Sequence, residues 1–370
     1  MRKDNTIEAF FALVRAGLWG YGDPDIRIGG ATDWKEVYQL AQEQSAQGLV
    51  LAGLEYSDIK PPKELLLLWI GEVQMIEQRN KAMNQFIADL IVRMRNADIY
   101  TILVKGQGIA QCYNHPLWRS SGDVDLFLSP DNYYKAKEFL MPMGEVSEPE
   151  EAAKKHFAMI IDQWAVELHG TLHSGLSSRI DRVMGDVQFD VFYRGNVRSW
   201  MNGHTQVFLP GVDCDVVCIF VHIIQHFFKG GIGVRQICDW CRFLWVYRDS
   251  INKKSLEQRL RKMKIMSEWK AFAGLAVEYL GMPVEAMPFY DKRFVNEGYR
   301  IMDFVIEVGN FGHNRDRSYY EKRTYIVRKG ITAWRRVKDL CYHARIFPLD
   351  SVRFLWGIMF NGIISTLRGE

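Results

Sequence analysis

Asp123-Val124-Asp125-Leu126-Phe127-Leu128 opens on an acidic/apolar alternation and then turns wholly apolar. The alternation has a period of two. Asp123 and Asp125 therefore share one face, and Val124, Leu126 and Leu128 take the other. The run stops at Ser129-Pro130-Asp131. Serine is a good helix N-cap and proline suits the first helical position, so a helix begins directly behind it. That boundary identifies Asp123–Leu128 as a strand. A strand with one apolar face must bury it, which commits the chain to a sheet covered by other elements. Two carboxylates on the remaining face repel each other, and one has a raised pKa unless a cation lies between them. A divalent metal that bridges carboxylate to phosphate oxygens suits such a pair.

The flanking residues extend this reading. Upstream, Tyr100–Val104 is a short β-rich run that ends at Lys105-Gly106, and Gly108–Tyr113 can form a short helix. Free N–H groups at such a strand-to-helix junction favour an anion. Arg119-Ser120-Ser121-Gly122 then leads into the strand; an arginine can contact phosphate, and glycine permits close backbone approach. Downstream come a helix over Tyr133–Leu140 and an acidic loop over Glu145–Glu151. His156–Ile161 and Trp164–His169 read as paired strands with a turn near Asp162-Gln163, and Glu167 and His169 share a face of the second. Gln188–Phe192 shows the same alternation and reads as another strand. The order of elements argues for a small α/β or α+β domain.

The rest of the chain reads as helix. A length of 370 residues suggests about two domains. Residues 1–100 form an N-terminal helical region, 101–210 a mixed core, and 211–370 a C-terminal helical domain. Asp33 or Thr32 can cap a helix beginning near Trp34 and running toward Gly48, and Pro61-Pro62 opens a long helix. The N-terminus lacks a secretory pattern, and no stretch approaches the ~20 apolar residues of a membrane span. A cytoplasmic protein is therefore expected. A net charge of +3 does not by itself imply a nucleic-acid partner. Residues 311–345 are locally basic, with ten Lys or Arg against three Asp or Glu. They carry no recognised nucleic-acid motif and read as a solvated helical face.

Two further groups carry chemistry. His222 and His226 are four apart on a helix, a spacing that can ligate one metal. With Asp239 they suggest a metal-dependent phosphohydrolase, but the adjacent His-Asp doublet of that chemistry is absent, and a packing role is the simpler reading. Arg235 follows the glycine-rich turn Gly230-Gly231-Ile232-Gly233 and can reach a phosphate across a cleft or form a surface ion pair. Cys214/Cys218 and Cys238/Cys241 have helical spacing, where cysteine usually serves as a small buried apolar residue rather than a zinc ligand.

The stretch KGQGIAQCYNHPLWRSSGDVDLFL, Lys105–Leu128, resembles the nucleotidyltransferase superfold of the DNA polymerase beta type. It is more closely similar to the bacterial uncharacterised nucleotidyltransferase family. Val166-Glu167-Leu168-His169, the His222–His226 segment and Val234–Trp240 continue the likeness, which covers roughly residues 30–250. The resemblance implies an α+β fold, with a small mixed sheet flanked by N-terminal and C-terminal helical regions. It implies an enzyme that uses two Mg²⁺ ions to move a nucleotidyl group from an NTP to an acceptor the sequence does not identify. Asp123, Asp125 and Glu167 match the three catalytic, metal-binding acids, with Asp190 as the other candidate for the third. Lys105, Gly106, Arg119, Ser121 and Arg235 are the expected nucleotide-binding residues. If this holds, the three carboxylates converge within about 6 Å. One departure stands out: Gly106-Gln107 replaces the usual Gly-Ser or Gly-Gly. The alternative is a catalytically inactive protein of this fold that binds a nucleotide or a partner protein.

Overall fold

The alternating run is a strand. In the computed structural model, which describes residues 4–21, 32–151, 155–310 and 325–354, Asp123–Leu128 (β2) is buried at every position except Asp123. Thr101–Val104 (β1) pairs with it antiparallel on one side, and Trp164–His169 (β5) pairs with it in parallel on the other. His156–Ile161 (β4) and Glu145–Glu151 (β3) continue the sheet by antiparallel pairing, giving the order β1-β2-β5-β4-β3. The fold is α+β, a small mixed sheet with helices on both sides.

The two faces of β2 have different fates. Val124, Leu126 and Leu128 join Leu103, Met159, Val166 and Leu168 in a core closed by Tyr133 and Leu140 of Pro130–Leu140 (α6) and by Met83, Ile87 and Met94 of Lys63–Asn96 (α4). Each such leucine contributes about 1.5–3 kcal/mol by leaving water. The expected cap is in place, with Ser129 Oγ accepting from the Asn132 amide at 3.3 Å. On the other face, Ile102, Val104 and Phe127 belong to a larger core shared with the helices that precede and follow the sheet.

Several expectations change. The helix expected from Trp34 toward Gly48 is two helices, Trp34–Glu43 (α2), capped by Asp33, and Gln47–Leu54 (α3), because Ser45 turns the chain at φ 53°. Gln188–Phe192 is not a strand but part of the helix Ser178–Tyr193 (α7), capped by Ser177. Five alternating residues were too short a window; Ile180, Val183, Met184, Val187 and Val191 show the helical period and are the buried ones. Glu145–Glu151 is an edge strand with register shifts rather than a loop, and its acidic residues suit an unpaired sheet edge. Val197–Asn202 (β6) and Thr205–Pro210 (β7), which the sequence reading missed, form a hairpin.

Asp4–Trp19 (α1) precedes these elements, and helices Val212–Lys229 (α8), Val234–Val246 (α9), Lys253–Met263 (α10), Met266–Leu280 (α11), Val295–Val308 (α12), Tyr325–Ala344 and a helical segment over 348–354 follow them. Of the basic region 311–345, residues 311–324 lie outside the described residues. Among the described residues, no helix is long and apolar enough to cross a membrane. Cys238 and Cys241 are buried in α9, and burial pushes both thiols up.

One buried polar hub ties α4 to the chain leading into β2. Asn80, 1% exposed, donates to the Leu117 and Arg119 carbonyls at 2.7 and 2.8 Å and accepts from Gln107 Nε2 at 2.7 Å. Gln107, at the turn where the resemblance implies a small polar residue, therefore faces the core. An unsatisfied buried group costs about 1–3 kcal/mol. Asn80→Leu orphans several at once and is expected to destabilise the chain by at least about 2 kcal/mol, read as a lowered thermal midpoint. An unchanged midpoint would mean that the hub is not formed in solution.

Candidate functional site

The register of β2 against β5 decides the site. Asp125 lies beside Glu167 in the parallel pair, and Val104 lies beside Asp125 on the other flank. One carboxylate oxygen from each of Asp123, Asp125 and Glu167 falls within 4.8 Å of the others. The acids expected to converge do so. Asp190 does not join them: it sits on α7, paired with Arg194 at 2.8 Å and Arg259 at 2.6 Å.

Charge is distributed unevenly among the three. Asp125, 2% exposed, lies 3.1 Å from Lys105 Nζ and 2.7 Å from His169 Nε2. Burial alone would raise its pKa, but the Lys105 charge and the His169 hydrogen bond outweigh it and hold the carboxyl below its usual range. Hydrogen bonds from His156 and His169 hold Glu167 far below the usual range. Asp123 is raised, chiefly by repulsion from Asp125 and then by burial. Two carboxylates this close repel each other. Three converging oxygen donors are a set that fits a hard divalent cation.

Lys105 reaches Asp125 through an unusual backbone. Its φ of 57° with ψ of −143° is a conformation close to glycine-only territory, and Gly106 follows with φ 38°. Such a residue costs about 1–3 kcal/mol and persists where surrounding structure imposes it. Here β1 ends and the five-residue helix Gly106–Ala110 (α5) begins, so the kink turns the ammonium over the carboxylates. Burial alone would lower the pKa of Lys105; the charges of Asp125, Asp123 and Glu167 outweigh it and raise it.

Arg119 has a different environment from the one expected of a phosphate contact. Its Nε and Nη2 donate to the two oxygens of Asp239, each at 2.7 Å, and its Nη1 donates to Ser121 Oγ at 2.8 Å. Tyr113 also donates to Asp239, at 2.8 Å. Both ions are nearly enclosed, with side-chain exposures of 6% and 5%. The pair clamps the segment before β2 onto α9. Arg235, one turn before Asp239 on α9, reinforces the clamp by donating to the Ser120 carbonyl. Its Nε is buried with no hydrogen-bond partner, and burial followed by the neighbouring Arg119 charge lowers its pKa.

These groups line a cleft of about 360 Å³ between the sheet and α8 and α9. Lys105, Gly106, Asp123, Asp125, Glu167 and Arg235 all contribute to its wall, as do Arg119 and Asp239. Ser121 is not on that wall and serves Arg119 instead. His222 and His226 face the cleft from α8, their rings 4.2 Å apart. Asp239, the acid considered with them for a phosphohydrolase, is committed to Arg119 and Tyr113. Burial, and then the Lys105 charge, push His226 from 6.5 down to about 4. A histidine kept neutral by the fold but free to charge once unfolded loses stability as pH falls between those values. His226→Gln is expected to flatten the dependence of the thermal midpoint on pH from 6.5 to about 4; an unaltered slope would contradict this.

His156 was not singled out from the sequence. Its Nε2 lies 3.2 Å from Glu167 Oε2. The signal was present: a two-residue turn at Asp162-Gln163 pairs Ile161 with Trp164, and counting outward places His156 opposite His169.

Comparison with curated proteins finds no match, and neither does comparison with solved structures. A family model does match, over residues 30–281, which takes in the whole sheet, the clamp and the cleft. The chain belongs to the family described as uncharacterised nucleotidyltransferase.

Proposed function

We propose that this chain is a Mg²⁺-dependent nucleotidyltransferase that moves a nucleotidyl group from an NTP to an acceptor hydroxyl and releases pyrophosphate. The convergence of Asp123, Asp125 and Glu167 beside Lys105 in one cleft carries this reading. Asp125 and Glu167, kept ionised by their neighbours, and Asp123 would hold the metal. A divalent cation held there would supply positive charge that offsets the charge of the triphosphate. Lys105 Nζ supplies positive charge to a triphosphate oxygen at the mouth of the turn. Arg235 retains donor capacity for a second. Asp123, the exposed member of the three and open to the cleft, is the carboxylate best placed to accept the acceptor's proton. Arg119 acts through Asp239, as a positioning residue that fixes the approach to β2. Ser121 assists Arg119 rather than the nucleotide. The division at residues 100 and 210 then separates a mixed catalytic core from an N-terminal helical region and from a C-terminal one whose α8 and α9 build the cleft's far wall.

One observation favours a second reading. Arg119 is committed to Asp239, and Gln107 points into the core, so two positions expected near the triphosphate are spent on structure. A chain that binds a nucleotide without turnover would tolerate both. Labelled NTPs, offered with cell extract and Mg²⁺, separate the two. A labelled product that depends on Asp123 supports the enzyme; nucleotide binding with no product supports the binder.

A further inference from the structure

Five of the chain's nine histidines, His156, His169, His173, His222 and His226, line the same cleft. Two of them do something that a carboxylate site for magnesium does not require. His156 Nε2 and His169 Nε2 approach the same oxygen, Glu167 Oε2, at 3.2 and 3.5 Å. One ligand atom from each of these three residues lies within 4.8 Å of the others, forming a second group beside the three acids, with Glu167 common to both. The histidines stand on β4 and β5 at directly paired positions, so the hairpin register rather than a loop fixes their spacing.

The donor set discriminates between ions. Mg²⁺ takes oxygen ligands and keeps its waters, whereas imidazole nitrogen suits Zn²⁺, Co²⁺ and related ions. Ligands about 2.0–2.1 Å from such an ion, at tetrahedral or octahedral angles, stand about 2.8–3.4 Å apart, and the nitrogen-to-oxygen separations of 3.2 and 3.5 Å lie near the upper end of that span. His169 Nε2 also lies 2.7 Å from Asp125 Oδ1. Ligation would replace the proton shared there, and Lys105 would remain as the partner of Asp125.

We propose that His156, Glu167 and His169 form a second cation position, selective for a transition ion of the zinc and cobalt type, and that Glu167 bridges it to the carboxylate position formed with Asp123 and Asp125. The cleft then holds two unlike cations: a hard one on oxygen and a softer one on nitrogen. This inference rests on the proposed function only for the sharing of Glu167; the histidine position can be tested without nucleotide or turnover.

The full chain, stripped of metal, is titrated with Co²⁺ while its visible spectrum is followed, and with Zn²⁺ against a chromophoric chelator. The parent is expected to bind both more tightly than Mg²⁺ and to show cobalt bands typical of nitrogen ligation. Loss of outer ligand-supporting groups alone costs about 10–100-fold in metal affinity, so His156→Ala, which removes a direct ligand, is expected to weaken Zn²⁺ binding by more than about 100-fold. His156→Cys keeps a ligand at this position and is expected to retain Co²⁺ with an added thiolate charge-transfer band, which answers the question even if the alanine variant folds poorly. Asp123→Asn is expected to weaken Mg²⁺·NTP binding and leave the cobalt spectrum in place, so failure of the nucleotide reading stays distinct from failure of this one. The proposal is overturned if the parent binds Zn²⁺ and Co²⁺ no more tightly than Mg²⁺. It is equally overturned if folded His156→Ala binds Zn²⁺ like the parent, or if folded His156→Cys shows no charge-transfer band.

Discussion

Asp239→Ala is expected to lower the stability of the chain by about 3–5 kcal/mol, the cost of stranding one member of a buried ion pair. Arg119 donates twice to Asp239 and once to Ser121 from an almost fully enclosed position. In the parent, burial alone would lower the pKa of Arg119, but Asp239 outweighs it and raises it; an arginine stranded without Asp239 still keeps its charge, because a guanidinium is not deprotonated in proteins. Tyr113 loses its acceptor in the same step. Asp239→Asn keeps an oxygen for hydrogen bonding and removes the charge, so it is expected to fall between alanine and parent. Thermal and urea melts check the series. An alanine variant that melts with the parent would show that the clamp between α9 and the chain before β2 contributes little. The effect should also reach the site, because the segment Arg119-Ser120-Ser121 aims β2 and is held to α9 by Arg119 and Arg235 together.

Asp125→Asn is expected to cut nucleotidyl transfer about a thousandfold while leaving the fold intact. A metal's stabilisation of developing charge is worth several kcal/mol, and each ~1.4 kcal/mol is a factor of ten in rate. Asparagine keeps the shape and can still meet Lys105 or His169 through its carbonyl oxygen. It removes the charge that the proposed cation between strands β2 and β5 requires. Single-turnover label transfer measures the loss, and circular dichroism confirms the fold. Transfer at the parent's rate would remove Asp125 from the reaction.

The carboxylate face of β2 was legible in the sequence because its signals there are local. Asp123–Leu128 carries its own period, and Ser129-Pro130 marks its end. Glu167 was legible for the same reason, as an acid on the face of an alternating strand. The environment of Arg119 was not. Its partner, Asp239, lies 120 positions away on a helix, and no local pattern announces a pairing that only tertiary packing creates. Gln107 misled in the same way: its amide finds Asn80 on α4, 27 residues earlier, so a position next to the strand-to-helix turn became part of the core. His156 lay between these cases, since the hairpin count reaches it but an isolated histidine at a strand end draws no notice. The misreading of Gln188–Phe192 has a simpler cause, a five-residue window inside a sixteen-residue helix.

In the proposed reaction, Asp123, Asp125 and Glu167 together hold the divalent cation that brings an NTP into the cleft. Calorimetric titration of NTP into the full chain, with and without Mg²⁺, tests it on the parent and on the Asp123→Ala/Asp125→Ala double variant. The account predicts binding to the parent that requires Mg²⁺, and its loss in the double variant at an unchanged circular dichroism spectrum. Equal affinity in parent and double variant would contradict it.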